Sequence, residues 1–331
     1  MTLRLGTTLR GSKYSFRLVE KLGDRTVFNP VFKAEVLPGI ESLLPKNRWA
    51  VVKSADFENQ TQIDCLLYDI INDPIGWTAQ KPFCLAFEWM DTTLAEVPFE
   101  QYMKDPILVA KIVEVCLEAF VELEREHLVY SDLKPANVLI SNVDGLLKVK
   151  IGDLGLAGPE GGNPRWVQPE AFRAPEVWTR VSCYHKADVW SIAAMILQRF
   201  DPNILGNADN IDKTLIHPMA WCLAKIILLF DSSCSSIPPP SDADKTLRAY
   251  FKLAQNLTTT QAEEDSNESL LQIPSFEVWA NLAMNAGIPK VVLDIIRLLA
   301  VPNPTKRPSA LQALQSPEYK ALQEAAASYG N

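Results

Sequence analysis

The sequence predicts an α+β chain of two lobes, a small β-rich lobe over residues 1–90 and a larger helical lobe over residues 91–331. Three observations carry that expectation. The 331 residues are enough for two packed cores. The first ninety residues are dominated by short β-branched and aromatic runs, and from about Asp105 the apolar residues change to helical spacing. With 47% hydrophobic and 22% charged residues, the composition is that of an ordinary folded chain rather than a disordered or fibrous one.

In chain order, β-strands are expected over residues 15–22, 31–36, 49–53 and 83–89, interrupted by one helix near residues 60–71. Helices follow over residues 107–126, 186–200, 219–230, 278–284 and 291–300, where apolar side chains recur every three or four positions. Two polar stretches lie among them, residues 231–245 with Pro238-Pro239-Pro240 and residues 257–269 with Glu263-Glu264-Asp265. Both are expected to be solvated surface insertions.

Charge and cysteine use narrow the function classes. Thirty-two basic residues stand against 40 acidic ones, a net charge of −8, so neither nucleic acid nor an anionic membrane is expected as a partner. The cysteines, Cys65, Cys84, Cys116, Cys183, Cys222 and Cys234, form no C-x-x-C pair, and with only three histidines a structural zinc site is not expected. Residues 1–6 lack the apolar run of a secretory leader and stretches such as 189–197 are too short to span a bilayer, so cytosol or nucleus with reduced thiols is the expectation.

The segment Val129-Tyr130-Ser131-Asp132-Leu133-Lys134-Pro135-Ala136-Asn137-Val138-Leu139-Ile140 places three polar side chains on a turn bracketed by apolar anchors. Soon after it, Val149-Lys150-Ile151-Gly152-Asp153-Leu154-Gly155 is a short strand that ends in a second Asp before a Gly. Together they resemble the H-R-D-x-K-x-x-N catalytic loop and the D-F-G metal motif of the eukaryotic protein kinase family. Phosphoryl transfer to a hydroxyl needs an orienting carboxylate, cations to spread the developing charge, and hard oxygen ligands for metal. The resemblance implies ATP and Mg²⁺ bound between the lobes. Asp132 would orient the acceptor hydroxyl and take its proton, Lys134 would meet the γ-phosphate, and Asn137 and Asp153 would hold Mg²⁺.

Further motifs follow in the family's order. Arg173-Ala174-Pro175-Glu176 resembles the A-P-E end of an activation segment, Asp188-Val189-Trp190-Ser191 the D-x-W of a long buried helix, and Asn303 to Ser309 the last C-lobe motif. The resemblance implies an Arg307–Glu176 ion pair and an Asp188 carboxylate that accepts backbone N–H groups of the catalytic loop. Upstream, Ala50-Val51-Val52-Lys53 stands where the family has V-A-I-K, so Lys53 would bind the α- and β-phosphates. Its partner is expected to be Asp64, four residues before Tyr68 on a helix face, with Glu58 or no pairing as alternatives. Phe83 to Leu94 resembles the hinge of cyclin-dependent kinases. Phe87 would be the gatekeeper, the Glu88 to Met90 backbone would meet adenine, and Asp91 would reach the ribose. Val31, Val51 and Leu139 would sandwich the adenine, although the default reading of all three is ordinary core.

The chain departs from the family at several points. In the loop that should be glycine-rich only Gly23 is left to approach phosphates; Arg25 and Phe28 replace the other two glycines, and Asp24 adds a negative charge. Ser131 replaces the Arg that pairs with an activation-segment phosphate, Tyr130 and Leu154 replace His and Phe, and Pro169 occupies the place of a Thr that touches the catalytic Asp and Lys. From Asp153 to Glu176 there is no Ser, Thr or Tyr. Trp166, Phe172, Pro159, Pro164 and Pro169 are then expected to order that segment by packing. The expected function is transfer of a phosphoryl group from ATP to Ser or Thr of a protein, because Lys134 follows Asp132 by two. A binding scaffold of the pseudokinase kind and a kinase for a small molecule are the alternatives.

Overall fold

Residues 3–11, 13–22, 31–37, 48–55, 67–71, 83–98, 104–143, 145–161, 167–206, 217–230, 235–261 and 269–329 are described by the computed structural model. They divide into two units, Met1–Asp91 with Gly152–Gly155, and Thr92–Ile151 with Leu156–Asn331.

In the first unit, strands β1 (Thr8–Arg10), β2 (Ser15–Leu22), β3 (Val31–Leu37), β4 (Trp49–Ala55), β5 (Leu67–Ile71) and β6 (Phe83–Glu88) form one antiparallel sheet in the order β1-β2-β3-β4-β6-β5. Period-two alternation decides which face is buried. Phe16 and Leu18 of β2 lie opposite Val36 and Ala34 of β3, and these continue to Ala50 and Val52 of β4 and to Ala86 of β6. The resulting apolar face, completed by Phe32, Ile71 and Cys84, is the core of this unit. Each large side chain withdrawn from water there stabilises by about 1.5–3 kcal/mol.

β5 corrects the expected helix over residues 60–71. Leu67–Ile71 is an edge strand paired with β6; residues 60–66 lie outside the described residues. Apolar residues at 66, 67, 70 and 71 satisfy helical spacing, but so short a run is ambiguous, and the exposed edge of β6 together with β-branched Ile70 and Ile71 decides for a strand.

The second unit is helical. Its elements are β7 (Thr92–Thr93), α1 (Pro106–Arg125), β8 (Leu128–Val129), β9 (Val138–Val143), β10 (Leu146–Ile151), β11 (Gly158–Pro159), α2 (Pro175–Trp178), α3 (Lys186–Phe200), α4 (Pro218–Phe230), α5 (Lys245–Leu257), α6 (Phe276–Asn285), α7 (Lys290–Leu299), α8 (Ala310–Leu314) and α9 (Pro317–Tyr329). α1 starts where Asp105 accepts a hydrogen bond from Ile107 N at 2.7 Å and Pro106 occupies the first turn. α3 is buried from Ala187 to Leu197, as a helix apolar on all sides must be, and packs against α1 and α7. β9 pairs with β10 and β7, which brings residues 138–140 to the end of the loop that carries Asp132.

α5 and α9 were not expected from periodicity. α5 buries Leu247, Phe251, Ala254 and Leu257, a stripe at helical spacing that the sequence does carry, whereas α9 buries only Leu322 and has too little apolar character to stand out. The stretch 231–245 is not wholly solvated, since Ile237 is buried. No helix among the described residues is long and apolar enough to cross a membrane.

Candidate active site

Sheet register groups the side chains of the first unit. Val31, Lys53 and Leu85 are cross-strand neighbours, as are Lys33, Val51 and Phe87. Both rows point away from the Phe32–Val52–Ala86 row that enters the core, so Val31, Val51, Lys53 and Phe87 share one half-buried face. Lys53 Nζ donates to Asp153 Oδ1 at 3.0 Å, and Gly155 N donates to the same oxygen at 3.2 Å. Asp153 has a left-handed backbone, φ 58°, which Asp tolerates better than most residues. Past the end of β6 the chain carries buried Met90 and exposed Asp91. Glu88 ends β6 across from Ala50. Lys33 Nζ stands 4.2 Å from the ring centroid of Trp89 and 4.7 Å from that of Trp49, a cation held between two π faces.

Gly23, Asp64 and Glu58, expected near the phosphates and near Lys53, lie outside the described residues, as do Asp24, Arg25, Phe28, Pro164 and Trp166. Among the described residues Lys53 meets Asp153.

In the second unit the polar side chains of the loop after β8 converge on one carboxylate. Asp132, 7% exposed, receives Lys134 Nζ at 2.7 Å and Asn137 Nδ2 at 2.9 Å on the same oxygen, Oδ2. Asn137 Nδ2 also donates to the Asp132 carbonyl at 2.8 Å. Two acceptors on Nδ2 fix the orientation of that amide, whose Oδ1 is a hard oxygen. Among the described residues Oδ1 of Asp132 takes no hydrogen bond. Sequence produces this locally: Pro135 opens a single 3₁₀ turn, Pro135–Asn137, and buried Tyr130, Leu133 and Val138 pin its two ends. Leu139 is half-buried on β9, paired with Thr93 and Lys150.

The loop is held from beneath. Asp188, buried at the start of α3, accepts from Tyr130 N at 2.7 Å and from Ser131 N at 3.0 Å. Burial pushes its carboxyl up to about 7, against the pull of those donors. Ser131 has φ 65°, a left-handed conformation that persists where neighbours over-determine it. Tyr130 packs its ring 5.8 Å from that of Phe120 on α1.

Beyond the loop, Glu176 and Arg307 form the expected pair, with Nη1–Oε1 at 2.7 Å and Nη2–Oε2 at 3.0 Å. The guanidinium also donates to the Val301, Lys186 and Pro302 carbonyls and stacks on Trp190.

Two residues here were not singled out from the sequence as ordering the segment before Ala174-Pro175-Glu176. Gln168 N donates to Ser131 O at 2.9 Å, and Arg173 donates to the Gln168 carbonyl while its guanidinium covers Trp178. The one available signal was a Gln between Val167 and Pro169 in an otherwise apolar context, which is weak. Phe172 is buried as expected, and its carbonyl accepts from Ser191 Oγ at 2.8 Å.

The family model described as protein kinase domain matches residues 65–318. Over 207 residues, 61% of this chain, it is 30% identical to cyclin-dependent kinase F-3 of Oryza sativa subsp. japonica, covering 40% of that protein. It is 36% identical to cyclin-dependent kinase 20 of Rattus norvegicus over 135 residues, 39% of this chain and 38% of the other. Extracellular signal-regulated kinase 1 of Candida albicans is 25% identical over 267 residues, 75% of this chain and 57% of the other. The chain thus spans 40%, 38% and 57% of the lengths of these three curated relatives, less than two thirds of each. The family model covers well over half of the residues, and its match runs through the loop that gathers Lys134 and Asn137 onto Asp132: the chain belongs to the protein kinase family.

Proposed function

We propose that this chain transfers the γ-phosphoryl group of ATP to a Ser or Thr hydroxyl of a protein substrate, with Asp132 as the orienting base. One observation carries the reading: Oδ2 of Asp132 is occupied by Lys134 and Asn137, and among the described residues Oδ1 takes no hydrogen bond, so it could accept one from an incoming hydroxyl. The carboxylate is thereby held in one rotamer, so little reorganisation is needed when the hydroxyl arrives. Lys134, two residues on, would share charge with the transferring group. Similarity to proteins named as cyclin-dependent and serine/threonine kinases supports Ser and Thr as the acceptors.

The donor chemistry fits a hard divalent cation. Asn137 offers an amide oxygen, and the Asp153 carboxylate keeps Oδ2 beyond its contacts with Lys53 and Gly155. Asn137 and Asp153 would hold Mg²⁺, which when bound supplies the positive charge that neutralises the phosphate oxygens. Lys53 would meet the α- and β-phosphates, Val31, Val51 and Leu139 the adenine, the Glu88–Met90 backbone its polar edge and Asp91 the ribose. Gly23 would approach the phosphates, and Asp64 is the proposed acidic neighbour of Lys53.

Radiolabelled ATP and a degenerate Ser/Thr peptide library test the reading. Asp132→Asn should lower turnover by roughly 10²–10⁴-fold with little change in Mg·ATP binding, whereas Asp153→Asn should weaken that binding itself. Wild-type turnover in Asp132→Asn would remove Asp132 from the role. Nucleotide binding without turnover in the wild-type protein would leave a binding scaffold instead.

A further inference from the structure

Between Asp153 and Glu176 the chain has no hydroxyl to phosphorylate, and Ser131 stands where a phosphate-binding cation would. Something else must hold the segment before Glu176 against the loop of Asp132. We propose that Gln168 is a positioning residue: its backbone N–H is tied to the loop of Asp132 and its buried carboxamide bridges the Ala174-Pro175-Glu176 turn to α3, which together hold this segment in its working conformation permanently and without phosphorylation. The inference rests on the phosphoryl-transfer reading above and assigns its regulation.

Gln168 is 3% exposed and every polar atom of it is used. Its N–H donates to Ser131 O at 2.9 Å, and its carbonyl accepts from Arg173 Nε at 3.1 Å and Nη2 at 2.7 Å. Its Oε1 accepts from Ala174 N at 3.0 Å, and its Nε2 donates to Ala187 O and to Ser191 Oγ, both at 3.0 Å. The residue bonded to it, Ser131, is fixed on the opposite side by Asp188 and immediately precedes Asp132. One residue, through its main chain and its carboxamide together, therefore joins three pieces of chain that meet only in the folded state.

The backbone points the same way. Gln168 has φ 65°, a region costly for a non-Gly residue that lacks a short polar side chain. Glycine would relieve that strain, yet glycine could supply none of the three carboxamide bonds. A buried carboxamide with all its partners supplied holds one geometry, whereas removing it leaves buried groups unsatisfied, which the rest of the structure can recover only by moving. In many kinases a phosphate creates new charge-assisted bonds to order such a segment; here the bonds of a neutral carboxamide, always present, do so.

Two substitutions separate packing from hydrogen bonding in the full chain. Gln168→Gly keeps the left-handed backbone and its bonds to Ser131 and Arg173 but deletes the carboxamide; Gln168→Met keeps the volume and deletes only the polar contacts. Hydrogen exchange followed by mass spectrometry should show faster exchange, by about tenfold or more, in peptides covering residues 129–133 and 168–176 of both variants, with α1 and α7 unchanged. In the degenerate Ser/Thr library kcat should fall by about tenfold while the KM for ATP stays put. Bacterially produced, phosphatase-treated wild-type protein should match untreated protein in both measurements. Unchanged exchange in both variants overturns the inference whether or not the protein transfers phosphate. Changed exchange with unchanged kcat overturns the positioning role, and loss of activity on phosphatase treatment overturns its permanence. A wild-type protein that consumes no ATP refutes the proposed function, and the exchange measurement then still decides the bridge.

Discussion

Replacing Arg307 with Met tests the anchor that ties the end of the chain to α2. The guanidinium is 0% exposed and the facing Glu176 side chain 2%. Arg307→Met leaves that carboxylate buried without its cation and withdraws donors from the Val301, Lys186 and Pro302 carbonyls. Breaking a buried pair from one side costs ~3–5 kcal/mol, because the remaining charge cannot be hydrated. For a unit of this size each kcal/mol lowers Tm by ~2–4 °C, so a fall of roughly 6–20 °C is expected by calorimetry. Glu176→Gln keeps an acceptor for Nη1 and lowers stability less, by ~1–3 kcal/mol. The double variant Arg307→Met/Glu176→Met should lose less than the sum of the two single losses, since no lone charge remains. Because water and salt do not reach the pair, the difference should change little with added salt. An Arg307→Met protein melting within about 2 °C of wild type would refute the assignment of this pair as a buried anchor.

Asp188 titrates at about 7 in the folded chain against an ordinary 3.8, so the stability it contributes is full below about 4 and is lost as pH rises through about 7. Urea midpoints should therefore fall between those pH values more steeply in wild type than in Asp188→Asn, and equal slopes would count against the shift. Burial pushes the thiols of Cys84 to about 11 and of Cys183 and Cys222 to about 12, and raises that of Cys116 as well. Maleimide labelling at pH 8, mapped by mass spectrometry, should find these four unmodified until the chain is unfolded. With Arg25 and Phe28 in place of loop glycines, the Michaelis constant for ATP should lie toward the weak end of the ~1 μM to 1 mM range; a thermal-shift titration giving a low-micromolar Kd would contradict that.

Chemistry concentrated in contiguous segments was legible before any coordinates. Asp132, Lys134 and Asn137 sit within six residues, and a Pro-opened turn between apolar anchors is a local feature, so the sequence specified the cluster and the structure adds which oxygen each group uses. The strands over residues 15–22 and 31–36 and the helix over residues 186–200 were likewise readable, because alternation or all-round apolar character repeats over enough positions to be unambiguous. The Arg307–Glu176 pair was anticipated through family resemblance rather than spacing; its members lie 131 residues apart.

Tertiary contacts decided the rest. Residues 67–71 carry a pattern compatible with helix or strand, and only the open edge of β6 selects the strand. α9 has too few apolar residues to announce itself, yet suffices once α1 and α7 offer surfaces to cover. Lys53 meets Asp153, which lies 100 residues along the chain. Gln168 is the clearest case. Its neighbours in sequence are ordinary, and its partners Ser131, Ala187 and Ser191 are remote in the chain. A polar side chain becomes an anchor only where folding has removed water and supplied every donor and acceptor it needs, and that condition belongs to the packed structure rather than to any local run of residues.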